Sequence, residues 1–391
     1  MTNSPTTLPD YGGGSILNLV RSVADACGVT GLPYAPARGI DAADLAAAET
    51  IVLLVVDGLG FDYVQHHGAD GALRRHLQGH LTSVFPSTTA TAITTFLTGL
   101  APQQHALTGW HMYFAEIDRI AAVLPLTPRG GEPFDFAPGE LPRRLFKHHS
   151  LASSMLRRAY ALCPIDIVGS EFNRFHTEAS MRCGYATLGE MFERIAEVVM
   201  GSPGRKYLYA YYPALDANAH SFGIASPQVE TIHGAVDHAL GRLLERIRGS
   251  DTIVIATADH GFVDSPADRV IELERHAPLA EMLVRPLCGE RRVAYCYVKP
   301  DRRADFEGYV HDHFAERTEL HPSRELVERG WFGPGEPHPG LFSRIGDYTL
   351  LMKGNWTIKD WLPGEKRYRQ IGVHGGTSAA EMLVPLVVAR A

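Results

Sequence analysis

The sequence predicts an α/β fold: a mostly parallel central sheet sandwiched by helices, with a small α+β insertion late in the chain. Three observations carry this. The run Ile51–Val56 is six consecutive apolar residues ending in Asp57-Gly58, and a strand apolar on both faces belongs in the middle of a helix-covered parallel sheet. Strand-like runs at Arg205–Pro213 and Thr252–Thr257 alternate with helix-period segments at Thr187–Val199 and Pro227–Arg248, the rhythm of βαβ units. From about Ser265 that rhythm breaks into short mixed segments. The expected division is therefore a core of residues 1–264 and 340–391, interrupted by an α+β insertion at 265–339.

In chain order, residues 1–14 read as a tail, and Ser15 caps a helix with Ile16, Leu19, Val20, Val23 and Cys27 on one face. After the strand that ends at Asp57, a helix is expected over Phe61–Leu77 and a strand over Leu81–Phe85. The stretch Phe85–Gly99, FPSTTATAITTFLTG, is a proline-led turn followed by a helix that Gly99 stops. Leu100–Phe114 reads as a loop holding Trp110, His111 and Tyr113. A strand is expected at Arg119–Leu124, a Gly/Pro-rich loop at Gly130–Gly139, a helix from Ser150 to Tyr160 and a strand at Pro164–Gly169. In the insertion, segments at Arg292–Val298, Arg302–Phe314, near Glu319 and from Ser323 alternate. The chain returns through Gly346–Gly354 and Ile371–Ser378 to a last buried strand, Leu383–Val388.

The bulk numbers exclude several classes. Net charge is −7 with no run of Lys or Arg, so no surface for a nucleic-acid polymer is indicated. No apolar run approaches the roughly 20 residues of a membrane span. The first residues lack the basic start and apolar stretch of a secretory signal, so a cytoplasmic location is expected. The five cysteines are scattered without a CxxC pair, which argues against a disulfide framework and a thiolate zinc site. Nothing in the sequence indicates an oligomeric state.

Polar residues then stand where open α/β sheets gather their ligands, at the carboxyl ends of strands. Thr88 and Thr89 lie at a helix N-terminus, where free backbone N–H groups favour an anion. Asp57 ends the first apolar strand. Asp216 and His220 sit at i, i+4 spacing, which puts both on one face of a helix. Asp259 and His260 end another apolar strand, and His374 precedes Gly375-Gly376. Carboxylate and imidazole ligands suit zinc, manganese or iron, and three Asp with three His suffice for two ions.

In chain order VVDGLG, FPSTTATAITTFLTG with the trailing LAPQQHALTGW, LDANAH, ADHG and VHGG resemble the motifs of the alkaline phosphatase superfamily, in its nucleotide pyrophosphatase/phosphodiesterase-like branch. They span Ile51 to His374. The resemblance implies an alkaline phosphatase-like core and a metal-dependent hydrolase of phosphodiester or nucleotide pyrophosphate bonds, with two divalent ions, zinc before manganese or iron. One ion would be held by Asp216, His220 and His374, the other by Asp57, Asp259, His260 and the nucleophile oxygen. Register against Thr98-Gly99 selects Thr89 as the nucleophile, with Thr88 as second choice. A phosphothreonine would form and be hydrolysed by water. The substrate would be a small phosphate ester or nucleotide. The C/S-x-P-x-R frame of sulfatases is missing. A phosphonate or phosphate monoester hydrolase of the same superfamily is the alternative, and a non-catalytic metal-stabilised binding module a third.

One departure stands out. Where the branch carries an asparagine that helps hold a nonbridging oxygen, this chain aligns Trp110. Either the loop is shifted or that oxygen is held differently. Trp110, Tyr113 and Phe114 either line an aromatic substrate pocket or are core aromatics under the loop. His338 reads as a structural turn residue and His66, His67, His148, His149, His311 and His313 as surface residues, while for Arg344 and Asp347 a structural ion pair is one option that the sequence does not decide.

Overall fold

The computed structural model describes residues 6–201 and 203–391. Its central sheet has seven strands in the order Leu77–Thr82, Leu383–Arg390, Thr252–Thr257, Thr50–Val56, Lys206–Tyr212, Arg158–Pro164 and Met181–Tyr185. Five neighbouring strands from Thr252–Thr257 to Met181–Tyr185 are parallel, and Leu383–Arg390 runs antiparallel to both of its neighbours. All seven residues of Thr50–Val56 are buried, as a strand covered on both faces requires. The helices Ile16–Ala26 and Thr89–Thr98 pack together, as do Leu188–Met200 and Pro227–Arg246. The mostly parallel sheet flanked by helices is the predicted architecture.

Register decides where the chemistry gathers. Val56 pairs with Tyr212, and Val55 pairs with Thr257. The chain segments that leave these three strands, at Asp57, Pro213 and Ala258, therefore emerge along one sheet edge.

A second seven-stranded sheet, antiparallel throughout, runs in the order Thr318–Pro322, Tyr348–Met352, Val293–Cys296, Cys288–Gly289, His111–Phe114, Arg119–Ala122 and Thr127–Pro128. Segment 265–339 supplies three of these strands, and residues 111–128 and 348–352 supply the rest. The turn between Gly289 and Val293 thereby comes beside the loop that precedes His111. A Cβ on Gly109 would stand 2.6 Å from the Gly289 Cα, so this approach needs glycine.

Several local expectations are corrected. The 61–77 segment forms two short helices, Phe61–His66 and Ala72–Arg75, and the strand begins at Leu77 rather than Leu81. Gly68 (φ 62°) and Gly71 separate the two helices. Leu100–Phe114 contains the helix Pro102–His105 and the strand His111–Phe114. The helix expected from Ser150 is a single 3-10 turn, Leu151–Ser154, and the strand follows at once, at Arg158–Pro164 instead of Pro164–Gly169. Ala159 and Tyr160, at the end of the expected helix, are buried in that strand, so sheet packing overrides the helical pattern.

Of the expected tail, residues 1–5 lie outside the described residues. The remainder packs onto the body: the Thr7 N–H donates to the Thr377 carbonyl at 2.7 Å, and the Tyr11 hydroxyl to the Trp331 carbonyl at 2.9 Å. His148 is buried, its Nε2 2.8 Å from His176 Nε2. Arg344 pairs with Glu116 at 2.8 Å and Asp347 with Arg303 at 2.7 Å, not with each other.

Candidate active site

The helix Thr89–Thr98 opens the site. Thr88 is its N-cap residue in extended conformation, and Gly99 ends it in the left-handed region at φ 69°. The two threonines point to different partners. The Thr88 hydroxyl donates to Glu290 Oε1 at 2.6 Å. Thr89 Oγ1 lies 3.1 Å from His260 Nε2 and 3.5 Å from Asp57 Oδ1. Of the pair, Thr89 faces the acidic and imidazole groups.

Those groups form two clusters, Asp57 with Asp259 and His260, and Asp216 with His220 and His374. Within each, one potential ligand atom per residue lies within 4.8 Å of the others. Asp57 follows its strand directly, and Gly58 (φ 77°) turns the chain so that its N–H donates to Asp259 Oδ1 at 3.0 Å. The helix Ala214–Phe222 presents Asp216 and His220 one turn apart. His374 arrives on a loop joined to the threonine turn by a bridge between Ser87 and Gly375.

Hydrogen bonding assigns the imidazole tautomers. Nδ1 of His220 faces the Gly372 carbonyl at 2.8 Å, that of His260 the Gly261 carbonyl at 3.1 Å, and that of His374 the Ser87 carbonyl at 3.2 Å. A carbonyl only accepts, so each Nδ1 carries a proton, and a neutral ring held this way offers its Nε2 lone pair to its cluster. Those lone pairs meet carboxylate oxygens: His220 Nε2 is 3.4 Å and His374 Nε2 3.7 Å from Asp216 Oδ1, and His260 Nε2 is 3.5 Å from Asp259 Oδ2. Asp216 Oδ1 and Asp259 Oδ2 are buried without a hydrogen-bond partner. Buried acceptors turned on one another need a cation or a proton between them. The donor set therefore fits divalent metal in both clusters.

The electrostatics agree. Burial, then the charges of Asp259 and Asp216, raises the Asp57 pKa well above the carboxylate range, against a hydrogen bond from Tyr211. Burial raises that of Asp216. Burial, then the neighbouring His260 and His220, holds His374 well below the usual histidine value. A dication would reverse the carboxylate shifts.

Supporting groups come from places no local motif marks. The Tyr211 hydroxyl donates to Asp57 Oδ2. Arg292 grips Glu381 through two bonds of 2.9 Å, and Glu381 Oε1 also accepts the Gly376 N–H at 2.8 Å, which fixes the loop after His374. Glu290 Oε1 accepts both the Thr88 hydroxyl and the Trp110 N–H, the latter at 2.8 Å. Burial pushes the Glu290 pKa up to about 7, against those two bonds. Its sequence neighbourhood, CGERRV, offers no signal. Tyr211 lies in the aromatic strand YLYAYYP just before Asp216, the one hint available.

Trp110 is 38% exposed and stands at the junction of two cavities that share Thr89 and Asp216. One, of about 220 Å³, has a mixed lining that includes Glu290, Arg291, Lys359 and Tyr368. The other, of about 460 Å³, is mostly apolar and includes Ile93, Leu124, Pro164, Ile167 and Phe172. Tyr113 lines neither: its hydroxyl donates to Asp118 at 2.7 Å, and Arg285 stacks over its ring. Phe114 is fully buried. Alternation along the strand His111–Phe114 buries Met112 and Phe114 on one face and leaves His111 and Tyr113 partly open on the other. His338 holds a turn, its Nδ1 accepting the Gly340 N–H at 2.9 Å.

The sequence profile of the Type I phosphodiesterase / nucleotide pyrophosphatase family matches residues 51–377. The chain belongs to this family. Membership makes it a hydrolase of the phosphodiesterase/pyrophosphatase type, within the alkaline phosphatase superfamily. It is 23% identical over 364 residues to an uncharacterized pyrophosphatase/phosphodiesterase of Schizosaccharomyces pombe, a match covering 87% of this chain and 70% of the relative. Among solved structures, murine ectonucleotide pyrophosphatase/phosphodiesterase 5 superposes with a TM-score of 0.63 at 18% identity, covering 86% of this chain and 87% of that one. The human counterpart gives 0.64 at 18% identity, with the same coverage. A second murine structure, of an inactive threonine-to-alanine variant in complex with AMP, superposes equally well, at 0.63 with 18% identity and the same coverage. At that identity the likeness establishes the fold.

Proposed function

We propose that this phosphodiesterase-family chain is a two-metal hydrolase of phosphodiester or nucleotide pyrophosphate bonds acting through Thr89. The observation that carries the reading is the position of Thr89 Oγ1, at a helix N-terminus and within 3.5 Å of both Asp57 and His260, while the Thr88 hydroxyl is committed to Glu290. The chemistry of the two donor clusters supports two divalent ions, zinc before manganese or iron. When bound, such ions lower the pKa of a hydroxyl and offset charge on transferring and leaving oxygens.

The chain's own residues do the rest. With an ion bound, the His260 Nε2 lone pair would be committed to it, so the Thr89 hydroxyl beside it would give its proton to solvent water. The freed oxygen forms a bond to phosphorus, the bond to the leaving oxygen breaks, and the leaving group departs with that electron pair. The phosphothreonine is then hydrolysed by water, which returns the Thr89 hydroxyl. Backbone N–H groups of the first turn of Thr89–Thr98 face the phosphoryl oxygens. The neighbour's inactive threonine variant with AMP supports a threonine nucleophile and a nucleotide substrate here.

Two cavities meeting at Thr89 favour a diester over a monoester, since a diester carries two substituents on phosphorus. Nitrophenol release tests this. Bis(p-nitrophenyl) phosphate and the nitrophenyl ester of thymidine 5′-monophosphate are expected to turn over faster than p-nitrophenyl phosphate. Far faster turnover of the monoester, or of a phosphonate, would move the chain to the monoester or phosphonate hydrolases.

A further inference from the structure

The smaller cavity beside Thr89, of about 220 Å³, has three Lys or Arg side chains in its wall, Arg129, Lys359 and Arg291. Two are spoken for. Arg129 is held by Asp360 at 2.7 Å and Glu365 at 3.3 Å, and Lys359 by Glu365 at 3.4 Å. Arg291 has no carboxylate within ion-pair distance among the described residues. Its one side-chain hydrogen bond is long, 3.5 Å from Nη2 to the Tyr368 carbonyl. The guanidinium stands over two aromatic rings, 5.1 Å from that of Tyr368 and 5.6 Å from that of Trp361. Its backbone is pinned by the Ile358 N–H, which donates to the Arg291 carbonyl at 2.9 Å. Burial lowers its pKa, against weaker opposing contributions from Tyr368, Glu290 and Glu365.

An arginine held by aromatic stacking, with most of its five donors unspent, is organised for bidentate contact with an oxyanion. The same cavity is bounded by Thr89, Asp216, His220 and His374, so an anion at Arg291 and a phosphoryl group at Thr89 fit one molecule. We propose that Arg291 receives the second phosphate of a diphosphate substrate, the one that leaves. This rests on the reading of Thr89 as nucleophile. The Thr89 oxygen bonds to the first phosphorus, and the bond from that phosphorus to the bridging oxygen breaks. The leaving phosphate takes the bridging oxygen and its electron pair, and its new charge develops on the Arg291 side. The apolar cavity across Trp110 is left for the nucleoside that stays on the attacked phosphorus.

The test compares two substrates with the same nucleotidyl half in the full-length, metal-loaded protein. One is P1,P2-dithymidine diphosphate, whose leaving half carries a second phosphate. The other is the nitrophenyl ester of thymidine 5′-monophosphate, whose leaving half does not. Arg291→Gln is expected to lower kcat/KM for the diphosphate about 10- to 100-fold more than for the nitrophenyl ester, mainly through KM. Arg291→Lys keeps the charge without the fork, so it is expected to show a smaller bias of the same sign. It also keeps the test open should the Gln variant fail to fold. Equal losses on both substrates, or no loss on the diphosphate, would overturn the proposal. A wild-type protein that cleaves the nitrophenyl ester but not the diphosphate would overturn it alone. A wild-type protein that cleaves neither would remove the reading of Thr89 on which it stands.

Discussion

The imidazole rings of His260 and His374 lie stacked, their centroids 3.6 Å apart and their planes inclined by 13°. The two rings belong to different ligand clusters, so whatever occupies one cluster is felt by the other across a single ring contact. Burial first, and then the neighbouring His260 and His220, keeps the His374 pKa well below the usual histidine value. The low His374 pKa keeps its Nε2 open to a ligand at neutral pH, while buried Asp57 and Asp259 and part-buried Asp216 crowd their charges together.

Removing metal should therefore destabilise the protein as well as silence it. Chelation is expected to abolish bis-ester hydrolysis and to lower the Tm, with both restored by zinc or manganese. A ligand present at about 100 times its Kd adds about 2.7 kcal/mol of stability. Thermal melts with and without chelator measure this. An unchanged Tm after verified metal loss would contradict it.

Tyr211→Phe removes the hydroxyl that donates to Asp57 while leaving the ring in place. The lost partner is expected to cost about 1–3 kcal/mol in the metal-free protein. Groups that orient metal ligands typically alter affinity about 10- to 100-fold, so metal titration should show a weakening of that size. A variant with wild-type metal affinity would show that Asp57 needs no such support.

Glu381 and Arg292 are both buried, and each satisfies the other through two bonds. Burial opposes the Glu381 charge, yet Arg292, Ser378 and the Gly376 N–H outweigh it and leave its pKa below the ordinary value. Glu381→Ala strands the guanidinium and releases the loop after His374. Denaturant unfolding is expected to report a loss of about 3–5 kcal/mol. A loss below about 1 kcal/mol would mean the loop is held by other contacts.

Glu290 gives a pH signature. Its folded pKa of about 7 lies above that of an unfolded glutamate. Between those values the folded state keeps a proton that the unfolded state gives up. This contribution to stability is complete below the unfolded pKa and is lost as pH rises through about 7. Glu290→Gln copies the protonated form, since its amide oxygen can still accept from Thr88 and Trp110. In metal-free protein the variant is expected to melt like wild type near pH 5 and at higher temperature near pH 8. The reverse order at pH 8 would show that Glu290 is ionised in the fold.

Much of this was legible in the sequence where a local pattern carried the signal. The apolar run before Asp57, the i, i+4 pair Asp216 and His220, and the helix stopped by Gly99 appear in the structure as read. Patterns failed where tertiary packing outweighed them, as at residues 158–160, where the central sheet takes residues whose spacing favoured a helix. They failed also where glycines broke a helix, as between Phe61 and Leu77. No local pattern marks Tyr211, Glu290, Arg291 and Glu381, because their partners lie 77 to 202 positions away. No residue spacing encodes such contacts. Trp110 stands out in the sequence, but its role there is open. The structure puts its side chain between the two cavities and its N–H on Glu290.

The central claim is that Thr89 is the nucleophile, and Thr89→Ala assayed with its metal content tests it most directly. The account predicts two metal ions retained, an unchanged fold, and bis(p-nitrophenyl) phosphate hydrolysis reduced by about 10³-fold or more. Wild-type turnover by a metal-loaded Thr89→Ala protein would contradict it.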